Sequence, residues 1–122
     1  MPPVTEQDLI NAGLTAPRVT PAAIEGAINS EHYFTAADGT AFAGGLTMPK
    51  PAALGLLTFC VLVLKNGFTV TGESACADER NFNADIGRRI AREHAMEKIW
   101  PLLGYELRTK LWVGTGQHKG LT

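Results

Sequence analysis

The clearest pattern in the chain is a nearly unbroken apolar run, Leu56 to Leu64, followed by Asn66-Gly67 and then alternating positions from Phe68 to Ser74. A run of that length rich in Val, Leu and Phe predicts a strand. Asn-Gly predicts a two-residue hairpin turn, which would set Lys65 opposite Phe68. In that register Cys60 lies opposite Glu73 and Cys76 opposite Leu57. One face of the hairpin would then carry Phe59, Val61 and Val63 with Val70 and Phe68, a core face. The other would carry Cys60, Leu62 and Leu64 with Glu73, Thr71 and Thr69. This half-apolar second face calls for a cover, either the N-terminal segment or, preferred here, a second copy of the chain. The two cysteines fall on opposite faces and are expected to be free thiols.

Downstream the period changes to that of a helix. Asn83 is a candidate N-cap and Asp85 sits in the first turn of a helix expected over about 83–100. Ile86, Gly87, Ile90, Ala91, His94 and Ala95 share one half of its circumference, and Arg88, Arg89, Arg92 and Met96 much of the other. Pro101 would end or kink it. Tyr105, Leu107 and Leu111 fit either periodicity, and a second helix over about 102–111, packed on the first, is the reading adopted. Upstream, Thr20 as N-cap and Pro21 at the first helical position predict a short helix at 21–29 striped by Ile24 and Ile28. Residues 31–35 suggest a short strand. Asp38-Gly39 suggests a turn, and 36–55, with its glycines and prolines, a loop insertion. Thr5 could cap a short helix within a weakly ordered segment, 1–19. Residues 114–122 read as a tail. The expected fold is α+β: one domain over 1–113, with a small antiparallel sheet built on a hairpin (about 57–65 and 68–75) packed against two C-terminal helices.

Composition narrows the function classes. Of 122 residues, 45% are apolar and 19% charged, with a net charge of −1. No global field draws in nucleic acid or an anionic membrane, so an anion site must be local. No apolar run reaches membrane-spanning length and the N-terminus lacks a signal-peptide pattern, so a cytoplasmic protein is expected. His32, His94 and His118 lack partners at metal-ligand spacing. Phosphate-loop, dinucleotide and nucleophile-elbow motifs are missing, and Gly44-Gly45 and Gly114-Thr-Gly read as plain loops. His94 reads as a packed histidine and Glu73 as a solvent-facing strand residue.

The polar feature with most content is the arginine face. Arg88, Arg89 and Arg92 lie within about a third of the helix circumference, and guanidinium groups suit phosphate. The simpler reading is a solvated face in which Arg89 pairs with Glu93. At the helix start, where free N–H groups favour an anion, stand Asn81 and Phe82. Phe82 can stack on a base and Asn81 can bond a base edge or ribose. Alternatively, Phe82 is a hydrophobic staple before the Asn83 cap. Single-stranded nucleic-acid binding needs more basic and aromatic residues than are present.

The stretch LKNGFTVTGESAC at 64–76, then Asn81-Phe82-Asn83, DIGR at 85–88, IAR at 90–92 and KIWPLLGY at 98–105 resemble a family of small phage and prophage proteins named after single gene products of two enterobacterial phages. The resemblance covers about residues 58–108, with Val19-Thr20-Pro21 and Tyr33-Phe34 besides. That family in turn resembles the first class of Thoeris anti-defence proteins, phage sponges that sequester cyclic ADP-ribose isomers, some also holding cyclic oligonucleotides at a separate site. The resemblance implies a homo-oligomer with ligand pockets at subunit contacts, no cofactor, and a nucleotide ligand held without turnover rather than an enzyme. It further implies stacking by Phe68 or Phe82, a ribose or base contact from Asn81, and phosphate contacts from Arg88 and Arg92 on the arginine face that includes Arg89. Arg18 would reach in from a neighbouring subunit. The glycine-rich insertion at 36–55 departs from shorter members. Two other readings stand beside this one: a phage adaptor or inhibitor of a host protein, and a small enzyme degrading a nucleotide signal with Glu73 or His94 as acid–base.

Overall fold

The structure, a computed structural model, describes residues 2–44 and 51–116. The order of elements is α1 (Glu6–Asn11), α2 (Pro21–Gly26), β1 (Ile28–Thr35), α3 (Ala36–Gly44), a 3-10 turn (Ala52–Leu56), β2 (Leu57–Leu64), β3 (Thr69–Ala75), a second 3-10 turn (Glu79–Asn81), α4 (Ala84–Glu97) and α5 (Ile99–Thr115). The strands form one antiparallel sheet in the order β1-β2-β3. The α+β architecture expected from the sequence is present.

The hairpin turn is one residue longer than Asn-Gly suggested. Leu64 N–H donates to the Phe68 carbonyl at 2.8 Å, and Gly67 N–H donates back to Leu64 at 2.9 Å. Gly67 takes φ +89°, the left-handed position of a three-residue loop that glycine occupies at little cost. The register therefore shifts by one. Cys60 faces Gly72 rather than Glu73, Leu62 faces Val70, and Cys76 N–H reaches the Leu56 carbonyl instead of pairing with Leu57. A one-residue slip reassigns every side chain of β3 to the other face.

This corrects the expected core. Thr58, Cys60, Leu62 and Leu64 are buried, with Val70 and Gly72 beside them, while Phe59, Val61 and Val63 are only half-buried. The cover over the buried face comes from the same chain. Ile24 of α2, Ala91 and Ala95 of α4, and Ile99 at the start of α5 complete the core. The reason is space. Gly87, Ala91 and Ala95, four apart, give α4 a stripe of small buried residues, and that stripe lies directly on β3 at Gly72. A methyl on Gly72 would overlap the Ala91 carbonyl and the Ala95 amide nitrogen. The opposite face of the sheet is partly covered by α3, whose Gly39 sits against the Phe34 ring. Phe34 in turn stacks on Phe59 at 5.4 Å between centroids.

Several boundaries move. The span 36–55 is helical at both of its described ends, not a loop, and Asp38-Gly39 lies inside α3; residues 45–50 lie outside the described residues, as do Gly45 and His118 of the sequence reading. Thr5 caps α1 through a reciprocal pair with Asp8. The helix at 21 ends at Gly26, and β1 begins at Ile28 rather than residue 31. Pro101 does not end a helix. α4 ends at Glu97, and Pro101 is the third residue of α5, in the first turn, where its missing N–H breaks no bond. α5 then runs through Gly114 and Thr115, which the sequence assigned to the tail, to a left-handed Gly116 at φ +77°. Residues 117–122 of that tail lie outside the described ones.

Candidate functional site

At the N-terminal end of α4 the chain leaves a cavity of about 210 Å³ lined by Leu56, Thr58, Ser74, Ala75, Cys76, Asn81, Phe82, Asn83, Ile86, Gly87 and Ile90. Its construction is local at first. Asp78 caps the short turn at 79–81 by accepting from Arg80 N–H at 2.9 Å, and its carboxylate holds the Arg80 guanidinium. Those bonds to Arg80 keep the Asp78 carboxyl below the usual carboxylate range. Cys76 Sγ–H donates to the Asp78 carbonyl at 3.1 Å. The turn delivers Asn81 and then Phe82, whose N–H donates to the Glu79 carbonyl at 3.2 Å. Asn83 caps α4 through Oδ1, accepting from Ile86 N–H at 3.1 Å, which commits that side chain to the helix.

Packing then closes the cavity. Gly87 brings α4 so near to β2 that a methyl there would stand 3.1 Å from Thr58 Oγ1. Thr58, 4% exposed, is also a wall of a second recess of about 90 Å³, lined by Tyr33, Phe34, Thr35, Asp38, Ala84 and Arg88. The two hollows thus share one side chain. The first is mainly apolar, with Thr58, Ser74, Asn81 and Asn83 as polar members of its lining; the second includes Arg88. Arg88 makes no ion pair among the described residues. Asp38, in the same recess, is held below the usual range chiefly by the Thr35 backbone N–H and then by its hydroxyl. None of the residues lining the first cavity is a carboxylate or a histidine.

The residues singled out in the sequence separate. Asn81 and Phe82 line the cavity, and Arg88 lines its neighbour. Arg89 turns outward and pairs at 3.0 Å with Asp85, one turn back, rather than with Glu93. Arg92 points to α2 and β1. Its Nε and one terminal nitrogen grip Glu31 at 2.9 and 3.0 Å, and its terminal nitrogens reach Glu25 at 2.8 and 3.2 Å. These hydrogen bonds hold both glutamates below the usual carboxylate range. Tyr33 O–H donates to Glu31 at 2.7 Å, and burial followed by that bond pushes the phenol well up. Arg18 is occupied by Glu6 at 2.6 Å and the Leu14 carbonyl at 3.0 Å. Phe68 stands by the hairpin turn, at the far end of the strands, in a recess with Leu102 and Leu103. His94 is exposed and donates from Nδ1 to the Glu73 carbonyl at 2.7 Å, tying α4 to β3, while the Glu73 side chain faces solvent.

Thr58, Ser74 and Cys76 were not among the residues expected at a site. The available signal was a polar residue, Thr58, inside an apolar strand. Their convergence with Asn81 depends on the hairpin register and on the seating of α4.

Against known protein families, residues 19–111 match the one described as the Phage protein (N4 Gp49/phage Sf6 gene 66) family. No curated protein and no solved structure matches the chain. No described helix is long and apolar enough to cross a membrane.

Proposed function

The chain belongs to the N4 Gp49/phage Sf6 gene 66 family of phage proteins, and on that footing we propose that it takes up a cyclic nucleotide signal at the start of α4 and holds it intact. The observation that carries this reading is the pair of hollows meeting at Thr58. The larger one offers Phe82 and aliphatic walls to a base, with Asn81 in its lining to bond an edge or a ribose. Stacking of this kind is worth about 1–3 kcal/mol per base. The smaller one presents Arg88 to a phosphate, and a guanidinium with no ion pair among the described residues suits that group. The α4 N-terminus adds a favourable field for the same charge. Ligands of the class are cyclic ADP-ribose isomers and cyclic oligonucleotides, in keeping with the resemblance to anti-defence sponges. Capture without turnover fits the larger hollow, whose lining holds no carboxylate or imidazole for proton transfer, while the smaller one holds Asp38 beside Arg88.

The test is a thermal-shift panel of such signals, followed by chromatography of the ligand recovered after denaturation. A shift with unchanged ligand is the expected result. Phe82→Ala is expected to weaken binding about ten- to a hundredfold; Arg88→Ala should cost about tenfold. Silence across the whole panel removes the nucleotide reading. Time-dependent conversion of the ligand would make the protein an enzyme instead.

A further inference from the structure

We propose that the cross-strand pair Thr58 and Ser74 reads the ligand in the larger hollow. Their hydroxyls bond the polar edge of a neutral heterocycle, an exocyclic amino group beside ring nitrogens as in adenine. This rests on the larger hollow being the part of the site that holds the base. Thr58 of β2 and Ser74 of β3 are direct partners in the sheet. Both side chains therefore stand on the face that α4 covers, with Cβ atoms about 4.5–5.5 Å apart, and both line the hollow. Thr58 is 4% exposed and Ser74 is half-buried. Neither hydroxyl has a hydrogen-bond partner among the described residues. A buried hydroxyl left unpaired costs the fold free energy, and a site for a ligand accounts for its retention.

The surroundings aim the pair into the hollow. Arg18 Nε is the one sealed side-chain polar atom without a partner among the described residues. The Thr58 and Ser74 oxygens, equally without partners, therefore open onto free space. A methyl on Gly87 would stand 3.1 Å from Thr58 Oγ1 and 3.7 Å from its Cβ. The oxygen is thus the part of Thr58 turned to Gly87, and Gly87 belongs to the same lining. The other polar members are engaged or exposed. The Cys76 thiol donates to the Asp78 carbonyl and Asn83 accepts from Ile86 N–H, while Asn81 is exposed. No charged side chain lines the hollow, so the group it suits is neutral. A hydroxyl both donates and accepts, so the pair answers an amino donor and the ring nitrogen beside it. An apolar edge in the same place would leave both hydroxyls unpaired.

NMR titration of the full chain with adenosine, and with purine riboside, which lacks the exocyclic amino group, tests this. Neither carries a phosphate, so Arg88 plays no part. Adenosine is expected to shift the amide signals of Thr58, Ser74 and Phe82 and to bind about three- to tenfold tighter than purine riboside. Thr58→Val keeps the shape and removes the hydroxyl. It should bring that ratio to about one and melt at or above the wild-type temperature, because an unpaired buried hydroxyl is gone. Thr58→Ser should keep the preference. No adenosine-dependent shift at these residues overturns the proposal together with the base reading beneath it. Adenosine and purine riboside bound alike, or a ratio unchanged in Thr58→Val, overturns the proposal alone and leaves stacking on Phe82 standing. A Thr58→Val chain that melts well below wild type assigns the hydroxyl to the fold and overturns it too. A preference for adenosine beside silence from every cyclic signal upholds the hydroxyl pair and rejects capture of such signals.

Discussion

Gly72 and Arg92 show how single residues decide between a fold role and a site role. Gly72 has an ordinary strand conformation, and what it provides is the absence of a side chain under the α4 backbone. Gly72→Ala forces a methyl against main-chain atoms that cannot rotate away. Overpacking of a well-filled core typically costs about 1–3 kcal/mol, and contact with fixed backbone puts this case at the upper end, at about 3 kcal/mol. Denaturant unfolding of the variant checks it; a loss under about 1 kcal/mol would show that α4 can lift without penalty. Arg92, counted in the sequence among phosphate-holding arginines, spends its donors on Glu25 and Glu31, about one turn before β1 and within it. Two carboxylates at hydrogen-bonding distance offset the positive field an incoming phosphate would meet. Arg88 makes no ion pair among the described residues, and Asp38 is the carboxylate that shares its recess. The arginine pattern on the helix was legible; which arginine remains available was not, because Glu25 and Glu31 lie 67 and 61 residues away in the chain.

At the scale of elements, the start of α3 gives the most useful lesson. Thr35-Ala-Ala-Asp38 carries the same Thr-x-x-Asp spacing as Thr5-Glu-Gln-Asp8, and both form reciprocal pairs at a helix start. Thr35 N–H donates to Asp38 at 3.0 Å and Asp38 N–H donates to Thr35 Oγ1 at 3.1 Å. The signal for a helix was present, but Asp38-Gly39 outweighed it as a turn. Loss of such a cap costs about 1 kcal/mol. Thr35→Ala is therefore expected to lower stability by about that amount, with faster amide exchange confined to the first turns of α3. Exchange unchanged in α3 would show that its packing against Phe34, not the cap, holds the helix. α4 differs: its cap stands at Asn83 as the sequence suggests, and of the six residues expected on its apolar side Gly87, Ala91 and Ala95 are buried. Its buried stripe proved narrower than the periodicity suggested, since Ile86 and Ile90 are 53% and 37% exposed and stand over the cavity instead of in the core.

For the whole molecule, the Arg92 cluster joins α2, β1 and α4 and makes stability depend on pH. Glu25 and Glu31 have folded pKa values below their ordinary 4.5. Between the folded and unfolded values the unfolded chain binds more protons, so stability rises with pH there. The contribution is full above about pH 4.5 and is lost as pH falls through the folded values. Arg92→Met should lower stability at neutral pH by about 1–3 kcal/mol, flatten that acid-side slope, and leave ligand binding at the α4 start unchanged. Unfolding curves across the acid range, with one ligand titration, check all three; a variant that keeps the wild-type slope would assign the pH dependence to other carboxylates. Taken alone, the sequence determined the apolar strand, the hairpin, the caps at Thr20 and Asn83 and the α+β class. Each of these is written in spacing over a few residues and stabilised by bonds of short range. Only the tertiary structure decided the register, the buried face of the sheet, the partners of Arg92 and the meeting of Thr58, Cys76 and Asn81 in one cavity. The physical reason is that a left-handed Gly67 added one residue to the turn. That residue placed Gly72 where the small side chains of α4 could seat, and the choice of face was settled by that fit between distant segments.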